Sequence, residues 1–385
     1  MNIHPNKKAK ILFLFSDTGG GHRSSAMAII EAIELEYPDR FQCRMVDVFR
    51  QYTPPPFDHA PEIYPPLTRM PGVWEASFRI SNGRRRSTLV SNVAWPYVRF
   101  AFKRLIRENP SALYVSVHPL VNTPMLQALG NNPTPFMTVV TDMVSAHAFW
   151  FDRRADLVIV PTKEARGCGL DFGIDPDRLV ITGQPVADRF CRQGMDKKIL
   201  RNHLGWEHDL PVTLLVGGGD GMGPLEQTAV AINDQELETV LVIVTGRNTQ
   251  LQKHLEKMRW NIPVRIYGFV QEMPDFMAAA DILVTKAGPG TICEAFIAGL
   301  PMVLYSKVPG QEDGNVRYVV DNNAGVWAPQ PQQVVSVLSK WLHNPMCLRE
   351  VSQASRSLAV PHASRKIARL IAAQADAVPE PSLFL

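Results

Sequence analysis

Three glycine turns and one amide-rich loop carry the residue types from which chemistry can be built. The first turn, Ser16-Asp17-Thr18-Gly19-Gly20-Gly21-His22-Arg23, follows a short apolar run and precedes a helical one. Glycines let the chain turn tightly and let a ligand approach the amides at a helix start. His22 is then either a capping or solvated helix-start residue or a group that faces a ligand. The second turn is Gly217-Gly218-Gly219-Asp220-Gly221-Met222-Gly223-Pro224, and the third is Lys286-Ala287-Gly288-Pro289-Gly290-Thr291-Ile292-Cys293-Glu294-Ala295. Open amides at Gly288–Thr291, with the helix dipole behind them, suit a diphosphate. Glu294 is expected on the first turn of that helix, where it either accepts from a ribose diol or simply complements the dipole. The loop Pro309-Gly310-Gln311-Glu312-Asp313-Gly314-Asn315 offers amides and carboxylates to sugar hydroxyls, or is a plain polar turn. Asp175-Pro176-Asp177 spells a D-x-D metal motif but reads as a turn.

These turns need strands before them and helices after them. Ile11–Phe15, Leu113–Val117, Phe136–Val140 and Leu157–Val160 in the first half are apolar runs, as are Val212–Val216, Val240–Val244, Val264–Tyr267, Ile282–Val284 and Met302–Leu304 in the second. Continuous rather than alternating hydrophobicity marks parallel strands covered on both faces. A chain of 385 residues suits two such cores. The expected fold is therefore α/β, with two doubly wound Rossmann-like domains facing each other: 1–200, 201–345, and a C-terminal segment 346–385 returning to the first domain. The joint is expected between Val186 and Leu210, with Arg192–His208 polar and helix-like.

The proline- and aromatic-rich stretch 52–107 breaks the rhythm and reads as an insertion. From Leu67 to Arg107 nine basic residues meet one acid, +8 in a chain of +3, so the remainder carries −5. Such a patch points to a polyanionic surface, while the modest total does not suggest nucleic acid. Pro96 is expected to open a helix to Arg107 with Arg99, Lys103 and Arg107 along one face and Val98, Phe102, Leu105 and Ile106 along another. Trp74, Phe78, Trp95 and Tyr97 lie nearby, and Arg84, Arg85 and Arg86 precede it. This helix is either a membrane-surface anchor or an ordinary cover for the first sheet. Five scattered cysteines without a C-x-x-C pair suggest reduced thiols, and the polar, basic start Met1–Lys10 lacks a secretory apolar stretch.

Together, SDTGGGHR (16–23), SVHPL (116–120), VVTDM (139–143), TKAGPGTICEA (285–295) and PGQEDGNVRYVVDN (309–322) resemble the monogalactosyldiacylglycerol synthases and diacylglycerol glucosyltransferases, from about Lys10 to Pro329. More distantly they are similar to the N-acetylglucosaminyltransferase that forms lipid II. The resemblance implies a GT-B fold with an interdomain cleft, inversion at the anomeric carbon, and no metal or other cofactor. It makes His22 the general base, assisted by Asp17. It places the donor on Gly288, Pro289, Gly290 and Thr291 (diphosphate), Glu294 (ribose), Gln311, Glu312 and Asn315 (sugar), and Gly268, Phe269 and Val270 (uracil), with Gly218 and Gly219 also on the donor side. Gly20, Gly21, His118, Asp142 and His147 fall on the acceptor side. The implied reaction moves a hexose from UDP-galactose, or UDP-glucose, to diacylglycerol at an anionic membrane surface on the cytoplasmic face. Lipid II synthesis from UDP-N-acetylglucosamine and UDP-sugar epimerisation are the competing readings.

Overall fold

Runs such as ILFLF and VTLLV leave no face for water, and each becomes a strand buried on both sides. The computed structural model describes residues 8–18, 20–60, 62–63, 70–191, 196–207, 209–219, 221 and 223–377. Its contacts group the chain into two units, the first comprising residues up to Asp188, Pro309–Gln311 and the chain from His362 onward, and the second Arg189–Val308 with Glu312–Pro361.

In the first unit β1 (Ala9–Phe15), β2 (Phe41–Asp47), β3 (Leu113–Ser116), β4 (Phe136–Val139), β5 (Leu157–Val160) and β6 (Leu179–Ile181) form a parallel sheet in the order β2-β1-β3-β4-β5-β6. Around it lie α1 (Gly21–Glu36), α2 (Val48–Tyr52), α3 (Pro71–Ser81), α4 (Arg84–Glu108), α5 (Pro119–Leu129) and α6 (Lys163–Asp171). Alternate side chains of β1 serve two cores. Ile11, Phe13 and Phe15 pack with Ile29 and Ile33 of α1, while Leu12 and Leu14 join Phe102, Leu105 and Met125 of α4 and α5. Strand order reverses between β1 and β3, so the loops leaving these two strands diverge to opposite faces.

The second unit contains α7 (Lys197–Leu204), β7 (Val212–Val216), α8 (Leu225–Asp234), β8 (Val240–Val244), α9 (Thr249–Leu255), β9 (Val264–Tyr267), α10 (Met273–Ala279), β10 (Ile282–Lys286), α11 (Pro289–Ala298), β11 (Met302–Ser306), α12 (Asp313–Asp321), β12 (Gly325–Trp327), α13 (Pro331–Leu342) and α14 (Pro345–Ser357). Its sheet runs β12-β11-β10-β7-β8-β9 and reverses between β7 and β10. Both sheets are the doubly wound Rossmann-like architecture. α15 (Ala363–Asp376) packs on α1 of the first unit through Ile367, Ala368, Ile371 and Ala375.

Three readings of the sequence change. The grouping divides the chain at Asp188/Arg189, so α7 lies wholly in the second unit although 200/201 falls within it. Of the segment 346–385, α14 stays with the second unit against α11, and only the chain from His362 groups with the first. Pro96 does not open a helix but lies inside α4, on its exposed side. There a missing amide donor costs least, because water can satisfy the freed carbonyl. Of the insertion, residues 61 and 64–69, Arg69 among them, lie outside the described residues.

Ile371 is fully buried between α15 and α1. Replacing Ile371 with Ala is expected to cost about 2–5 kcal/mol, read from the first unit's transition in chemical denaturation.

Candidate active site

At the reversal in the first unit, β1 ends in Phe15 and the chain turns into α1 through Gly20, whose φ of 74° is one a side chain would strain. This sets His22 on the first turn of α1. His118 follows β3 at the N-cap of α5, and the two rings meet edge to face with centroids 4.6 Å apart. His22 Nδ1 lies 3.1 Å from Thr141 Oγ1, and the ring also bonds to the Val117 carbonyl. His118 Nε2 lies 3.0 Å from Thr18 Oγ1. Burial, slightly offset by the Val117 bond, pulls His22 down to about 4, and burial together with the neighbouring His22 pulls His118 well below its ordinary value. Both rings are therefore neutral at pH 7, the state in which an imidazole accepts a proton.

Asp17 forms two hydrogen bonds with Arg23 (2.9 and 2.7 Å), and its backbone amide donates to Asp47 Oδ2 at the end of β2. Asp142 accepts from the indole of the fully buried Trp150 (2.7 Å) and from Gln311 Nε2 (3.2 Å). His147 belongs to another cluster. Its Nδ1 accepts the Phe149 amide, so the neutral ring carries its proton on Nε2, beside the Phe78 carbonyl (3.3 Å) and Ser81 Oγ (3.2 Å) of α3. The ring thus latches the end of α3, and burial lowers it to about 4. Thr18 and Thr141 had been quoted only as letters of their motifs, and Trp150 carried no signal at all.

In the second unit the turn after β7 folds tightly against the end of β8: a Cβ on Gly221 would stand 2.5 Å from the Thr245 carbonyl. Across the reversal, Gly288 caps α11 and Pro289 opens it, which leaves the Gly290 and Thr291 amides without intrahelical acceptors. Glu294 is the sixth residue of α11, on its second turn rather than its first, because the helix begins at Pro289. Burial raises its carboxyl to about 7, moderated by Arg189. Glu312 pairs with Lys286 and accepts the Val308 amide (2.6 Å). Asn315 donates to the Ala287 carbonyl (3.0 Å), while its buried Oδ1 has no partner. Gly268–Val270 follow the edge strand β9, with Phe269 exposed. Among the described residues no cluster of three or more His, Cys, Asp or Glu could hold a metal, and Asp175 caps the turn at Pro176.

α4 presents two faces. Val98, Phe102 and Leu105 enter the core, so Phe102 does not lie on the outer surface, while Trp95 is half-buried against that core. Their 3.6-residue spacing makes them the sheet-covering stripe. The other face exposes Leu89 (65%), Val93 (72%), Tyr97 (50%) and Phe100 (69%) as one ridge, and Val73 and Ile80 of α3 are exposed as well. Arg84, Arg85, Arg86, Arg99, Lys103 and Arg107 are exposed on the same helix, and Trp74 on α3 is half-buried. Among the described residues no helix is long and apolar enough to cross a membrane.

Residues 22–186 match the Monogalactosyldiacylglycerol (MGDG) synthase family, and residues 212–369 match the Glycosyltransferase family 28 C-terminal domain. With its two doubly wound sheets, the chain is a glycosyltransferase of the GT-B fold. Over 366 residues it is 36% identical to Monogalactosyldiacylglycerol synthase 3, chloroplastic, of Arabidopsis thaliana, covering 92% of this chain and 78% of that one. It belongs to the monogalactosyldiacylglycerol synthase family. Among solved structures it is similar to Acinetobacter baumannii MurG (TM-score 0.60, 17% identity, 95% and 99% coverage). It is also similar to the UDP-GlcNAc 2-epimerase of Neisseria meningitidis bound to UDP-GlcNAc (TM-score 0.58, 13% identity, 94% and 100% coverage). Transferases and epimerases share this fold, so these two likenesses speak to fold alone.

The buried histidines set a pH dependence. Between about 6.5 and 4 the unfolded chain protonates a His147 that the folded chain keeps neutral, so this residue's contribution to stability falls as pH falls through that window. Glu294, with its raised carboxyl, works in the opposite sense between about 7 and 4.5. Denaturation midpoints of wild type and His147→Gln across this range are expected to show a shallower acid loss in the variant.

Proposed function

We propose that this chain transfers galactose from UDP-galactose to the free hydroxyl of diacylglycerol, with inversion, at a membrane surface. The observation that carries the reading is the neutral, desolvated His22 imidazole at the β1/β3 reversal, in a chain of the galactolipid synthase family. Inverting displacement needs one base for the acceptor hydroxyl and one stabiliser for the departing diphosphate, and no carboxylate nucleophile. His22 takes the hydroxyl proton. The Gly290 and Thr291 amides at the start of α11 receive charge that grows on the diphosphate, without a metal ion. Glu294 accepts from the ribose, and Asn315 with Glu312 from the hexose.

A water-insoluble acceptor requires the enzyme to meet the bilayer, and the Leu89–Val93–Tyr97–Phe100 ridge with its surrounding arginines supplies the contact. Apolar side chains enter the headgroup boundary, and each nearby cation adds up to about 1 kcal/mol against anionic lipid. Binding is peripheral, and five scattered cysteines without a C-x-x-C pair fit a reducing, cytoplasmic side.

The donor is tested with UDP-galactose, UDP-glucose and UDP-N-acetylglucosamine against dispersed diacylglycerol in the presence of a chelator, with product mass analysis. UDP-galactose should give hexosyl-diacylglycerol, and UDP release without diacylglycerol would sink the reading in favour of an acceptor-free reaction. His22→Ala should lower turnover by about 10²–10⁴-fold while UDP binding persists. In vesicle flotation, wild type should rise with anionic vesicles, and the Val93→Ser/Phe100→Ser variant should stay in the soluble fraction. Equal flotation of both proteins would remove the ridge from the docking surface.

A further inference from the structure

We infer that Lys286 is the cation that receives the sugar-side phosphate of the donor, with Glu312 as its counter-ion when no donor is bound. This rests on the UDP-sugar reading of the same unit and assigns a residue that reading leaves without a role.

The backbone is built to aim this side chain. Lys286 is the last residue of β10, where the register with β11 shifts between Thr285 and Lys286, so that Lys286 pairs with Ser306. Such an irregularity turns a side chain out of the strand's alternation. Immediately afterwards the Gly288 amide closes back on the Lys286 carbonyl (2.7 Å), and the Ala287 amide bonds to the Ser306 carbonyl (2.8 Å). The chain therefore doubles tightly just before α11 begins. A Cβ on Gly288 would stand 3.6 Å from Lys286 Nζ, so the ammonium borders the same cradle as the open amides of α11.

The surroundings argue against a merely structural pair. The Lys286 and Glu312 side chains keep 17% and 6% of their exposure, so both charges are largely withdrawn from water. A buried ion pair of this kind seldom adds stability over an apolar pair of similar size. Beside it Asn315 Oδ1, on a residue 2% exposed, has no partner, although the same side chain is anchored on Ala287 through its amide nitrogen. An unmet acceptor next to a carboxylate suits hydroxyl donors, and a cation next to open amides suits phosphate oxygens. Lys286 pairs with Glu312 of the one set and stands beside Gly288, which caps the helix that carries the other, and this places it where a hexose joins its phosphate.

The test is the ratio of UDP to UMP affinity by calorimetry, a ratio that does not depend on the folded fraction of a preparation. Removing Lys286 alone would strand a buried carboxylate, so the informative protein is K286M/E312Q, with K286R and E312Q beside it. Expected are a near wild-type melting temperature for the double variant, UDP affinity lower by about 10–100-fold, and unchanged UMP affinity. K286R should restore most of the ratio, and E312Q should leave UDP binding intact or tighter. Wild-type UDP affinity in the folded double variant, or an equal fall for UDP and UMP, would overturn the assignment and leave the donor reading standing. Failure of the wild-type protein to bind UDP would instead sink the donor reading itself.

Discussion

Both units depend on the reversal of strand order between two parallel neighbours, β1 and β3 in one sheet and β7 and β10 in the other. Parallel strands require crossovers, and crossovers on either side of a reversal leave on opposite faces. Only there do two strand ends open onto free backbone instead of a covering helix. His22 and His118 stand at one such opening. Gly288 and the turn beginning at Gly217–Gly219 stand at the other. The glycines follow from this, because a chain that must turn from strand to helix beside another turn has no room for side chains. Gly221 against the Thr245 carbonyl is the clearest instance.

The two openings treat charge in opposite ways. In the first, burial removes protons from imidazoles, and Asp17 is balanced by Arg23. In the second, a helix start and Lys286 gather positive potential around amides, with Glu312 in attendance. On the proposed reading, a neutral base and an anion cradle are the complementary requirements of a displacement in which a proton leaves one partner and a diphosphate leaves the other. The family to which the chain belongs performs glycosyl transfer, and these two environments give that activity a physical basis.

How much of this could be read beforehand follows burial. Strands covered on both faces were legible because their apolar residues run on without a polar alternation, broken only by single residues such as Thr138 and Thr213. Those overlooked, β2, β6 and β12, are all sheet edges. β2 is half-exposed and the other two are three residues long, so none shows a sustained apolar run. A proline inside a helix is costly, so Pro96 reads as a helix start, whereas here the helix continues past it on the wet side. Residue type alone leaves open whether Phe102 meets a membrane or covers the sheet; the 3.6-residue period runs it inward and leaves Leu89, Val93 and Phe100 outside. His22, His118 and Asp142 were visible as motifs. Their contacts to Thr141 and Trp150 were not, since these join residues far apart in the chain.

Asp47 links two parts of the first unit that otherwise differ in character. One oxygen of its carboxylate caps α2, and the other holds the Asp17 amide in the turn leading to His22. The turn that leads to His22 is therefore moored where β2 passes into α2, and neither contact involves a residue beyond Tyr52. The stretch that follows could be lengthened, shortened or recomposed without touching either hydrogen bond, and the turn beside β1 would stay the same.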